Sequence, residues 1–348
     1  MHPPIPLAED KQPLYRQVYL RLREAILSGA FARGAKLSST RALAGELGVS
    51  RTITVLVYEQ LISEGFLVGK TGSGTYVSSE LTALPKARCE EAVDFRLSRY
   101  GSSALAARAG LQGLPRKPAL RYDFAYGRSD LEEFPFEMWR RTFLRCARKA
   151  PVSELDYGPA SGSAALQQAI CLQVRRSRGV VCDPDQVIVV NGSQQALDLI
   201  VRVLLERGDR AVMEEPGYQG TRLILRAAGA RVIGVPVDRD GLKTAKLPRS
   251  ARLAFVTPSH HVPTGAVLSL ARRLALLDWA KRRGTIVVED DYDGEFHYEG
   301  QTVDSLQGLD QEGRVIYVGT FSRTIFSSLR IGYLIAPRRL VEPLAAAK

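Results

Sequence analysis

The sequence predicts two folding units of different class: a small helical unit closed by a β-hairpin, then a larger α/β unit on a mostly parallel sheet. Three observations predict them. Apolar residues recur at helical spacing up to about Ser63 and then give way to two short apolar runs around a glycine-rich turn. From about Leu120 helical stretches alternate with short apolar strands, the pattern of a parallel sheet with crossover helices. Between them, residues 81–119 carry Ala, Arg, Gly and Pro without sustained periodicity, apart from a helical fragment around Ala104 to Arg108, and read as a linker.

A chain of 348 residues, 45% hydrophobic and 24% charged, is long for one domain and can bury a large core. No 18-residue apolar run occurs, and Met1-His2-Pro3-Pro4 has neither a basic nor an apolar leader region, so the expected address is the cytoplasm, with no membrane partner. Cys89, Cys146, Cys171 and Cys182 form no CxxC pair and lack nearby His partners, which argues against a metal site or a disulfide framework. The net charge of +11 favours an anionic partner without naming it. Residues 81–120 carry seven Lys/Arg against three Asp/Glu, so the connecting stretch is the more basic part.

In the first unit, taken as residues 12–80, Leu14, Val18, Leu22, Ile26 and Leu27 mark a helix from Leu14 to Ser28, stopped by Gly29. Ser39 or Thr40 caps a second helix running through Leu47. Gly48-Val49-Ser50 makes a tight turn, and Ser50 caps a third helix from Arg51 to Ser63, which is a helix-turn-helix spacing. Phe66-Leu67-Val68 and Thr75-Tyr76-Val77 flank a polar tip, Gly69 to Gly74, and together make a wing.

A helix placed in the major groove needs hydrogen-bond donors on its first turn, and Ser50-Arg51-Thr52-Ile53-Thr54 supplies them. Arg41, early in the second helix, suits a phosphate contact that fixes register. Lys70 and the wing glycines suit a close approach to the backbone or minor groove. For any single arginine the alternative is a plain solvated charge; the combined order of motifs argues otherwise.

In the second unit, residues 120–348, strands are predicted at Gln186 to Val190, Arg210 to Met213, Arg231 to Val235, Leu253 to Thr257, Thr285 to Glu289 and Val315 to Val318. Asn191-Gly192-Ser193-Gln194 turns from a strand into a helix and offers an anion its N-terminus. Tyr218, after Glu214-Glu215-Pro216-Gly217, is an aromatic in a loop that would otherwise only fill space. Glu289-Asp290-Asp291-Tyr292-Asp293 ends a strand with a burst of acid, which reads either as an exposed acidic loop or as the partner of a cation.

Four strings in the first unit, from Lys36-Leu37-Ser38-Ser39-Thr40-Arg41 to Gly72-Ser73-Gly74-Thr75-Tyr76-Val77, resemble the GntR family winged helix-turn-helix. That resemblance implies a homodimer on a double-stranded DNA operator, with Arg41, Arg51, Thr52 and Gly74 as contacts and Ser39 and Lys70 beside them. Ser38 stands where related regulators commonly carry Pro. Residues 120–348, with Asn191 to Ala196, Pro216-Gly217-Tyr218, Glu289 to Asp293 and Val318-Gly319-Thr320-Phe321-Ser322-Arg323-Thr324, resemble a fold-type I pyridoxal-phosphate aminotransferase domain. The two together resemble the MocR subfamily of GntR regulators. The resemblance implies Asp290 on the pyridine nitrogen, Tyr292 on the ring oxygen, Tyr218 stacked on the ring, and Ser193, Gln194, Thr320 and Arg330 at the phosphate.

Arg323 stands where that family carries its Schiff-base lysine. An arginine stays protonated and is a poor nucleophile toward an aldehyde, so no catalytic residue is expected and pyridoxal 5′-phosphate is expected to bind non-covalently and weakly at most. Lys243, Lys246 and Lys281 fall in predicted loops or on helix faces. The family pattern also continues into a C-terminal subdomain carrying an arginine for a substrate carboxylate, whereas this sequence stops at Ala347-Lys348 in a helix starting near Arg338, so the site is expected to stand open on one side. The resulting expectation is a transcription regulator whose second domain serves dimerisation and senses pyridoxal phosphate or an amino compound. The competing readings are a working aminotransferase, which Arg323 opposes, and a degenerate short regulator.

Overall fold

The computed structural model describes residues 12–80, 96–109, 131–296 and 303–348. Cys89 and most of the expected linker lie outside them. The chain divides into two compact units, Met1–Phe95 and Arg96–Lys348.

In the first unit α1 (Leu14–Leu27), α2 (Thr40–Leu47) and α3 (Arg51–Ser63) precede a hairpin of β1 (Leu67–Lys70) and β2 (Gly74–Val77). Val18, Leu22 and Ile26 of α1 meet Leu43, Val57 and Leu61 of the other helices and Leu67 and Val77 of the hairpin in one buried cluster. The predicted caps form: Ser39 Oγ accepts from the Ala42 N–H at 3.2 Å and Ser50 Oγ from the Ile53 N–H at 3.4 Å. Gly48 takes the left-handed conformation that ends α2, at φ 65°. Buried Thr54 donates to Thr40 O at 2.8 Å, tying α3 to the start of α2. Val68 pairs with Tyr76 and Lys70 with Gly74, so the hairpin runs two residues further toward its tip than the apolar pattern indicates. Polar Gly69 and Lys70 are held there by ladder pairing that an apolar count does not register.

The second unit begins with α4 (Arg99–Ala109), α5 (Phe136–Lys149) and α6 (Ala164–Arg178), after which strands and helices alternate. They are β3 (Val187–Val190), α7 (Ser193–Leu204), β4 (Arg210–Glu215), α8 (Gln219–Ala227), β5 (Arg231–Asp238), β6 (Gly241–Leu242), β7 (Leu253–Val256), α9 (Leu270–Arg283), β8 (Ile286–Asp291), β9 (Val315–Thr320), β10 (Gly332–Ile335) and α10 (Arg338–Ala347). The sheet order is β3-β10-β9-β8-β7-β4-β5-β6. Strands β9, β8, β7, β4 and β5 run parallel to one another, while β10 runs antiparallel between β9 and β3 and β6 pairs antiparallel with β5 at the other edge.

Alternate residues of each strand face opposite layers. Ile316 and Val318 of β9 join Leu197 and Ile200 of α7, Leu225 of α8 and Leu344 of α10. Val315 faces the other way, in a cluster with Leu276 and Trp279 of α9. Tyr317 and Tyr333 close a third cluster against Ile170 and Val174 of α6. A sheet covered on both faces explains why its strands read as near-continuous apolar runs.

Three elements differ from the sequence reading, the first being the two-residue β6, which pairs with the end of β5 and is too short to give an apolar pattern. Helix α4 is longer than the Ala104 to Arg108 fragment and lies against α8, while its Tyr100 Oη donates to Asp198 Oδ1 of α7 at 3.0 Å. It buries none of its residues, so no apolar stripe announces it. Strand β10 was not predicted: its four residues follow the Arg330 turn without a helix, and nothing local shows that the chain reverses there.

Candidate functional site

The parallel strands deliver their carboxyl ends to one edge of the sheet, where ligand groups of α/β folds gather. There β3 turns through Asn191 and Gly192 into α7, β4 leads to Tyr218, β7 to Val262, β8 to Tyr292, and β9 ends at Thr320. A cavity of about 200 Å³ opens among these ends. Seven of the eight residues predicted for a cofactor line it: Ser193, Tyr218, Asp290, Tyr292, Thr320, Arg323 and Arg330. Gln194 is turned away, its side chain accepting from Tyr218 Oη and donating to Gly220 O, both at 3.4 Å. Val262, Ser322 and Ser327 also line the cavity. The resemblance assigns none of the three a role.

The first wall is an anion cup. Gly192 (φ 79°) precedes the first turn of α7, and a Cβ there would sit 3.0 Å from Arg330 Nη2. Glycine is therefore what lets the guanidinium lie over the turn, where Nη2 donates to Asn191 O at 3.2 Å. Arg330 itself adopts φ 53°, a strained region for a side-chain-bearing residue, which aims it back at the cup. Thr320 Oγ1 donates to Ser322 Oγ at 3.0 Å and accepts from the Ser322 N–H at 3.1 Å.

The opposite wall is acidic and buried, so the exposed-loop reading of Glu289 to Asp293 is replaced. Each acid has its own surroundings. Glu289 accepts from the Leu306 and Gln307 N–H groups at 2.8 Å. Asp291 pairs with Arg178 Nε at 2.7 Å and accepts from Tyr317 Oη at 2.6 Å. Asp293 has His260 Nδ1 at 3.3 Å. Asp290 is 7% exposed and its Oδ1 has no hydrogen-bond partner among the described residues. Burial, with the charges of Asp291 and Asp293, pushes its carboxyl up to about 7. A carboxyl group so placed has a lone pair to give to a cation or an N–H donor entering the cavity.

Behind Asp290 stands Glu214, raised to about 7 chiefly by burial, accepting from Thr257 N at 3.0 Å and Thr257 Oγ1 at 2.7 Å. His261 Nε2 lies 3.7 Å from Glu214, and burial lowers its pKa. Arg178 is the functional neighbour the sequence hid. It ends α6 among Arg175 and Arg176 and reads as a solvated charge, yet it is 1% exposed and also donates to Ser259 Oγ at 2.5 Å. Lys281 pairs with Glu312 and Lys243 with Asp238; among the described residues no lysine lines the cavity.

In the first unit Ser39, Arg41, Arg51, Thr52, Lys70 and Gly74 are all exposed. Arg51 and Thr52 occupy the first turn of α3, and Arg41 that of α2. Ser39 spends its hydroxyl on its cap. Lys70 Nζ lies 5.0 Å from the centre of the Tyr76 ring and Lys36 Nζ 6.0 Å from it, so the wing presents two cations across one aromatic. Lys36 was not singled out by sequence because it lies before α2, far along the chain from the wing.

The sequence matches two family profiles: bacterial regulatory proteins of the gntR family over residues 14–77, and aminotransferase class I and II over residues 123–348. It is 42% identical over 336 residues to a probable rhizopine catabolism regulatory protein, MocR, of Rhizobium meliloti, covering 95% of this chain and 66% of that protein. It is 39% identical to the HTH-type transcriptional regulator TauR of Rhodobacter capsulatus, covering 93% and 68%. The chain thus spans about two thirds of the length of these relatives. Among solved structures, the kynurenine aminotransferase of Pyrococcus horikoshii in complex with PMP aligns at TM-score 0.63 and 28% identity, covering 74% of this chain and 64% of that one. With a gntR helix-turn-helix, an aminotransferase domain on a mostly parallel sheet and curated relatives that share both, the chain belongs to the MocR-type, aminotransferase-like regulators of the GntR family.

Proposed function

We propose that this chain is a DNA-binding transcription regulator. Residues 12–80 read a double-stranded operator as part of a homodimer, the chain between this unit and Arg96 connects, and the second unit, with α4 packed on it, serves dimerisation and senses pyridoxal 5′-phosphate or a small amino compound. The observation that carries the reading is the exposed first turn of α3, bearing Arg51 and Thr52, held at a fixed angle to α2 by the buried Thr54 hydrogen bond. Arg51 and Thr52 meet base edges; Arg41, Ser39, Lys70 and Gly74 meet the backbone. In vitro selection from random duplexes by the full chain is expected to enrich one sequence element repeated as two half-sites. Recovery of unselected sequence would refute the reading.

The residues of the cavity fit the cofactor in two respects: a buried carboxyl with an unused oxygen, and an anion cup that a Cβ at Gly192 would close. Asp290 suits a protonated pyridine nitrogen, Tyr292 a ring oxygen and Tyr218 a ring face. Ser193, Thr320 and Arg330 suit the phosphate, with Gln194 holding Tyr218 from behind. Pyridoxal phosphate, when bound to a lysine enzyme, supplies an electron sink. Here Arg323 occupies the position that the resemblance gives to that lysine, and a guanidinium is a poor nucleophile that forms no covalent link, so binding is non-covalent and transamination by the usual route is not an activity of this chain.

A further inference from the structure

Resting on that reading of the cavity, we infer that Arg323 is a ligand-recognition residue: the preferred occupant is a pyridoxal-phosphate derivative with a carboxylate on its 4′ substituent, such as an amino acid already joined to the coenzyme. The argument is one of charge placement. Among the described residues that line the cavity, Arg330 and Arg323 are the cations and Asp290 the carboxylate. Arg330 lies over the Gly192 turn and Asp290 offers Oδ1 from the floor. A ligand matched to these walls carries an anion for Arg330, a cationic ring nitrogen for Asp290, and a second anion for Arg323. Pyridoxal phosphate itself has the first two and presents a neutral aldehyde to the third.

The chemistry of Arg323 suits that task. A guanidinium has five donors in a fixed fork, so it can serve Asp293, whose carboxyl burial pushes up and the charges of His260 and Arg323 only partly pull back, and still bind a ligand carboxylate. A fixed positive charge facing a neutral aldehyde gains little. Facing a carboxylate in a partly enclosed pocket, it gains a charge-assisted pair. The ligand needs no enzyme to form: the amine of an amino acid condenses with the free aldehyde carbon in solution, a C=N bond replacing C=O with release of water. The chain then senses an amino acid and the coenzyme together without a lysine of its own.

The test uses two stable secondary amines that differ only in the carboxylate, N-(5′-phosphopyridoxyl)-L-alanine and N-(5′-phosphopyridoxyl)ethylamine, titrated by calorimetry into the full chain beside pyridoxal phosphate. The alanine derivative is expected to bind on the order of tenfold more tightly than the ethylamine derivative, the factor a charge-assisted pair typically supplies. Arg323→Gln is expected to abolish that preference and leave the ethylamine affinity in place, Arg323→Lys to keep most of the preference, and Arg330→Gln to weaken both compounds alike. Equal affinities in the wild type, or a preference that survives Arg323→Gln, would overturn the inference while leaving the cofactor site standing. Failure of all three compounds to bind would overturn the cofactor-site reading itself, and the inference with it.

Discussion

Arg323 and Asp290 decide what the cavity can do. Because Arg323 offers no nucleophile, mixing pyridoxal phosphate with the wild-type chain and reducing with borohydride is expected to leave no cofactor on the protein by mass spectrometry. Arg323→Lys is expected to give a reducible link at residue 323; a label on any wild-type lysine would contradict this account. Asp290 makes a second prediction. Its folded pKa, about 7, lies above the ordinary carboxyl value of 3.8, so the folded state holds the proton more tightly than the unfolded one. Stability is therefore greatest below about pH 4 as far as this group is concerned, falls as pH rises toward 7, and levels off above it. Asp290→Asn should raise the melting temperature of the ligand-free chain most at pH 8 and progressively less as pH falls toward 4. Equal effects at both pH values would show that the buried charge is not the cause.

At the scale of the element, the α2–α3 corner rests on a few hydroxyls. Ser50→Ala removes the α3 cap and should cost about 1 kcal/mol in denaturant unfolding of the first unit. Thr54→Val keeps the shape but leaves Thr40 O without its donor, and should cost about 1–3 kcal/mol. A neutral result in Thr54→Val would mean that water replaces the hydroxyl. These helices were legible because their caps and apolar spacing are local signals. Strand β10 and Arg178 were not, for a shared reason. What fixes them lies far along the chain: the pairing of β10 with β3 across more than a hundred residues, and the pairing of Arg178 with Asp291 at a separation of 113. The same holds for the four acids after Val288. Sequence shows a charge cluster, and only the fold shows that all four are buried, Glu289, Asp291 and Asp293 with different partners and Asp290 with an unused oxygen.

For the whole molecule, the order of the two classes of unit could be read directly, because a change from helical spacing to strand-helix alternation survives any error in element ends. The eight cofactor candidates came from resemblance, and seven line one cavity because strand ends converge in a parallel sheet whatever their spacing in sequence. DNA recognition is the central claim, and its most direct measurement is fluorescence anisotropy of the selected duplex and a scrambled duplex of equal length, across a salt series. The account predicts that the selected duplex binds more tightly at every salt concentration, that Arg51→Ala removes this difference, and that Arg41→Ala and Lys70→Ala weaken both duplexes and each lower the salt slope by about one. Equal binding of the two duplexes by the wild-type chain would contradict it.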